Sequence, residues 1–240
     1  MDPESITEAT RWKIVTDKET FEKLKADQAF WSIVALGRAV NALLFVHQAL
    51  VAHDGDDSPA AIRARYNSVL FSCAIFFESS LLVQGMGKYF SAMPEFRKLS
   101  TVVTGKDARR VLDSGISALR NTAVFHFDAE EIGRQLQGLE LPEPTFVSAM
   151  GQTNGQVYCE LADLCAFRTL YGPTFPESDV ALAQSDFTRV TSALIVEFTN
   201  VAQELIVSFL ASKGWHAEAL PEAPPQPSAD HPQTSQSSPK

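Results

Sequence analysis

Apolar residues recur at steps of three and four from Asp17 to about Ala52, among them Phe21, Leu24, Phe30, Val34, Leu36 and Val40. That spacing predicts one long amphipathic helix, which "HDGDDSP" ends with Gly55 and Pro59. Ser58 before Pro59 has the chemistry of an N-cap followed by proline at the first helical position. A second helix is therefore expected from there to Phe90. Pro94 and "LSTVVTG" read as a separator, followed by a third helix from about Lys106 to Phe127. Asp128 and the "AEE" after it form the cap and first turn of a short fourth. A last long helix is expected from about Ser178 to Ser212.

The stretch "LPEPTFVSAMGQTNGQVYCELADL" breaks this rhythm. Two prolines, a short apolar run and Asn154-Gly155 before "QVY" predict a small β-hairpin inserted on the bundle. From Pro221 the chain is rich in proline, serine and glutamine and nearly free of apolar residues, the composition of a disordered tail. The expected fold class is all-α: a bundle of four long helices plus short ones, with a hairpin insertion. Its divisions are an N-terminal segment (1–16), a helical core (17–137), the hairpin-containing insertion (138–176), the last helix of the same domain (177–214) and the tail (215–240).

Composition supports a globular reading, with 240 residues of which 45% are apolar. Three apolar runs are long enough to suggest membrane spans. Each carries a charge near its middle, however: Arg38 in the first, Glu78 in the second, Glu197 and Glu204 in the third. Buried helices of a soluble, cytoplasmic bundle are expected instead. Cys73, Cys159 and Cys165 are odd in number and lack C-x-x-C spacing, so they predict reduced thiols, with neither a disulfide framework nor a metal site. Residues 1–140 hold 16 basic and 18 acidic side chains, residues 141–240 hold 4 and 11. Any nucleic-acid contact is therefore local, because no large basic face steers it.

Candidate chemistry lies at the end of the third helix, in "RNTAVFHFD". Ala108, Val111, Leu112, Gly115, Leu119, Thr122 and His126 share one stripe, so the histidine continues the inward face. Arg120 lies at the border of that stripe, and a spacing of six leaves it about 120° from His126 on a straight helix. The two converge only if the helix bends or if a second chain completes the site. A histidine on an apolar stripe is commonly a hydrogen-bonded core residue, and a border arginine commonly pairs with a carboxylate. Arg38, Asn41 and Glu78 are polar residues on apolar faces, expected to support the site or to satisfy one another in the core. Arg63 and Tyr66 are weaker cleft candidates, and His47 is assigned no chemistry.

Arg120, Asn121 and His126, with five residues between the arginine and the histidine, resemble the Arg-polar-x-x-x-x-His motif of the HEPN superfamily of helical ribonucleases. The long helices "FWSIVALGRAVNALLF" and "RARYNSVLFSCAIFFESSLL" are also similar to members of that group, and the resemblance spans about residues 20–135. It implies a metal-independent endoribonuclease without cofactor, acting as a toxin or phage-defence effector. In that reading Arg120 binds phosphate, His126 transfers protons and Asn121 orients one or the other. It also implies a homodimer whose two motifs face one cleft, and an antitoxin or nucleotidyltransferase as partner. The alternative is a non-catalytic helical module of the same fold that binds a protein or a nucleotide.

Overall fold

The computed structural model describes residues 12–53, 55–56, 58–113, 129–137, 148–149, 157–158, 160–171 and 180–219. In chain order the elements are β1 (Trp12–Val15), α1 (Lys18–Leu24), α2 (Gln28–Ala52), α3 (Pro59–Phe90), α4 (Pro94–Thr104) and α5 (Lys106–Leu112). There follow α6 (Ala129–Gln137), β2 (Ser148–Ala149), β3 (Val157–Tyr158), α7 (Glu160–Tyr171), α8 (Val180–Ser212) and β4 (His216–Ala219). The protein is all-α with a small β-hairpin, β2 pairing antiparallel with β3 through Ser148 opposite Tyr158.

Local chemistry sets the helix starts. Ser58 accepts a hydrogen bond from the Ala61 amide at 3.3 Å and Pro59 opens α3, as the sequence predicts. The helix expected from Asp17 to Ala52 is two helices. Asp17 caps α1 by accepting from the Thr20 amide at 2.9 Å, and Asp27 caps α2 by accepting from the Ala29 amide at 2.8 Å. The expected separator after Pro94 is itself a helix, α4, whose Phe96, Leu99, Val102 and Val103 are buried. Gly105, extended at φ −65° and ψ 172°, divides α4 from α5, and a Cβ there would lie 3.1 Å from the Thr101 carbonyl oxygen. Of the predicted third helix, Lys106–Leu112 is described as helical; residues 114–128 lie outside the described residues.

Helices α2 and α3 pack along one another, and α8 lies against α2 and α4. Leu36, Leu43, Phe76, Met86, Leu99 and Phe198 are among the largest fully buried side chains of this core. Ala166 of α7, within the expected insertion, belongs to the same core. Phe76 and Phe198 meet edge to face at 5.7 Å, joining α3 to α8.

The tail expected from residue 215 begins instead with ordered structure. Gly214, at a φ of +85°, takes the left-handed conformation that ends α8, and the Trp215 amide donates back to the Leu210 carbonyl at 3.1 Å. Trp215 then packs edge to face on Phe21 and tilted against Phe30, at 6.4 and 6.2 Å between ring centres. Strand β4 pairs antiparallel with β1, Trp12 opposite Ala219 and Val15 opposite His216. A boundary at residue 215 is too early, because Trp215 packs on the aromatic cluster and β4 follows it; residues 220–240 lie outside the described residues. A chain ended after Ala219 is expected to keep the urea midpoint of the full chain. One ended after Ser212 should lose about 1–3 kcal/mol through the missing aromatic contacts and strand.

Candidate functional site

Arg120, Asn121 and His126 lie outside the described residues; the helices on either side of them do not. Helix α5 is seated by Ala108 and Val111, both fully buried. Arg110 donates through Nη2 to Asp186 Oδ2 of α8 at 2.7 Å, and Arg189 Nη2 donates to Asp186 Oδ1 at 2.7 Å. These hydrogen bonds, Arg110 first and then Arg189, hold the Asp186 carboxyl below the usual carboxylate range. The group is exposed, so the pair contributes orientation more than stability. Arg109 Nε donates to the Thr104 carbonyl at 3.0 Å and so satisfies one of the carbonyls left open where α4 ends. Past the segment carrying the motif, α6 packs against α7.

Arg38, Asn41 and Glu78, expected to support the site or to satisfy one another in the core, are not core residues. All three are exposed. Arg38 and Glu78 line one cleft of about 330 Å³ between α2 and α3, walled by Ala35, Ala42, Ala74 and Leu82. A second cleft of about 400 Å³ adjoins it, sharing Ala35 and Leu82 and bordered by Trp31 and Tyr89. The reason is that α2 is apolar on two sides, so the periodicity of its sequence does not say which side is inward. Arg63 and Tyr66 are half-buried on α3 and line neither of these clefts.

Sequence reading missed the polar contacts between distant helices. His47 Nε2 lies 2.8 Å from Ser192 Oγ, linking α2 to α8 at a half-buried position. No sequence signal pairs these two, since 145 positions separate them. Cys73 is buried at the centre of α3, where burial pushes its thiol up to about 12. Burial likewise raises the Cys165 thiol. Both are protonated, structural cysteines at neutral pH.

The Cys73 shift has a measurable sign. An unfolded thiol ionises near 9.0, while the folded one keeps its proton to about 12. Stability is therefore full below pH 9 and falls as pH rises through that window, by about 1.4 kcal/mol per pH unit at most from this group. Urea titrations across alkaline pH should show a shallower fall for Cys73→Ala than for the parent protein.

Compared with known proteins, the chain matches no family model, no curated protein and no solved structure. By length and composition alone, Gln28–Ala52, Pro59–Phe90 and Ser185–Ser212 are apolar enough to cross a membrane. Arg38, Glu78, Glu197 and Glu204 are all exposed along these helices.

Proposed function

We propose that the protein is a metal-independent endoribonuclease of HEPN type, with Arg120, Asn121 and His126 as its site. The observation that carries this reading is the sequence "RNTAVFH" between two helices of an all-α chain. RNA supplies its own nucleophile, the 2′-hydroxyl. Cleavage then needs one group to remove that proton and another to stabilise charge on the phosphate oxygens. An imidazole with an ordinary pKa near 6.5 suits the first task and a forked guanidinium the second. Asn121, next to the arginine, orients the histidine or the phosphate. The bond formed joins the 2′-oxygen to phosphorus, the bond broken releases the 5′-oxygen, and His126 and its counterpart in a second chain exchange the protons. The protein is soluble and cytoplasmic in this reading, because the exposed charges on all three apolar helices disfavour a bilayer. A toxin or phage-defence role, with an antitoxin or nucleotidyltransferase as regulator, accompanies it.

The test is purified protein incubated with total RNA in EDTA, followed by end-group analysis. Fragments ending in 2′,3′-cyclic phosphate are expected at undiminished rate. Activity lost in EDTA and restored by magnesium would overturn the mechanism. The second reading, a non-catalytic binding module, is favoured by the apolar outer face of α2, where Phe45 is 72% exposed. Intact RNA under every condition would leave that reading standing.

A further inference from the structure

The cleft bordered by Trp31 and Tyr89 lies between the start of α2 and the end of α3 and holds about 400 Å³. Trp31 is 54% exposed although its Nε1 donates to the Lys25 carbonyl at 2.6 Å, so the polar edge of the indole is tied down and the surface left open is apolar ring. Tyr89 is held in a similar way. Its hydroxyl donates to Gln28 Oε1 at 2.5 Å, which also fixes the Gln28 amide, whose Nε2 donates to nothing among the described residues. Lys88 Nζ stands 4.6 Å from the centre of the Tyr89 ring, and no carboxylate pairs with it among the described residues. Gly85 lines the cleft as well, and a Cβ there would meet nothing within 4 Å.

We propose that this cleft binds a base of single-stranded RNA, with a neighbouring phosphate at Lys88. Every base has a π-face, and an aromatic platform beside a cation holds a single strand without needing to read its sequence. The chemistry selects that occupant over others. A bilayer interface uses tryptophan and tyrosine through N–H and O–H groups turned to the headgroups, and here both donors are already engaged inside the protein. A free nucleotide would leave much of its surface in water in so open a cleft, whereas a strand carries phosphates on both sides of the stacked base. A duplex keeps its bases stacked on one another and out of reach. The chain's charge agrees with this. With a net charge of -9 and no large basic face, affinity has to come from stacking more than from many phosphate contacts. The inference rests on the ribonuclease reading for its substrate, and gives that substrate a contact outside the motif residues.

The test is binding of a fluorescein-labelled 2′-O-methyl oligoadenylate by the full chain, since that strand stacks as RNA does but lacks the free 2′-hydroxyl that cleavage requires. It should raise the fluorescein anisotropy and quench tryptophan emission. Trp31→Ala should weaken binding by about 10-fold or more, whereas Trp31→Phe should keep most of the affinity and lose the quenching. Gly85→Leu should block the cleft with unchanged helical circular dichroism, because the added side chain enters open space. Lys88→Gln should lower the slope of log affinity against log salt by about 0.7, the share of one phosphate on a single strand. The strand should bind more tightly than adenosine monophosphate and than its own duplex with oligouridylate. Equal affinity for either of those, or a strand indifferent to Trp31→Ala and Gly85→Leu, would overturn the proposal. So would a strand left unbound, whether or not phosphatidylglycerol vesicles capture the protein. A strand held through Trp31 by a protein that leaves RNA intact would sink the nuclease and spare the cleft; cleavage with no binding at Trp31 would do the reverse.

Discussion

His126→Ala is expected to reduce RNA cleavage by about 10²–10⁴-fold, the range associated with losing a positioned proton-transfer group. Arg120→Ala should produce a loss of similar size, through the phosphate oxygens it would no longer stabilise. The two are distinguished by pH. Removing the histidine should abolish the titration of the rate near neutrality, whereas removing the arginine should leave its shape and lower its height. Both variants should keep the parent's helical circular dichroism. An unfolded His126→Ala would show instead that the histidine is a core residue of the inward stripe. If cleavage survives both substitutions, the motif is not the site.

The largest effect on stability is expected from Phe198→Ala. Phe198 is fully buried on α8 and its ring meets Phe76 of α3 edge to face. Truncation removes this contact and leaves a cavity between the two longest helices, a change that typically costs about 3–5 kcal/mol. By contrast, Val196→Ala two residues away should cost less than about 1 kcal/mol, since Val196 is 42% exposed. Urea midpoints of the two variants measure the difference directly. Equal losses would mean that α8 is not docked through Phe198.

How far these elements were legible depended on whether their cause was local. Ser58 and Pro59 announce the start of α3 because capping is decided within one turn. The β2–β3 hairpin was marked by its turn residues and a short apolar run. Helix α4 was missed because its threonines and valines read as extended chain, although Phe96, Leu99 and Val103 hold helical spacing. The split between α1 and α2 was hidden inside a continuous apolar pattern, where only Asp27 signals a second start. Arg38 and Asn41 interrupt the apolar pattern of α2 visibly, but a helix apolar on two faces gives periodicity no preferred direction, so their exposure is not legible in the sequence. His47 with Ser192, and β1 with β4, depend on pairing across nearly the whole chain, about which local pattern carries no information.

The pairing of β1 with β4 also orders events during synthesis. Trp12 finds its partner Ala219 only after every helix of the described structure has left the ribosome. Until then Phe21 and Phe30 lack the indole of Trp215 that covers them. The helix pair α2 and α3, close in sequence, can associate early, as contacts of short separation do. The two terminal strands join last, so the nascent chain passes through a stage in which its helices are packed and its first aromatic cluster is still open to water. That stage is the one in which a folding helper would find an apolar target on α1 and the start of α2.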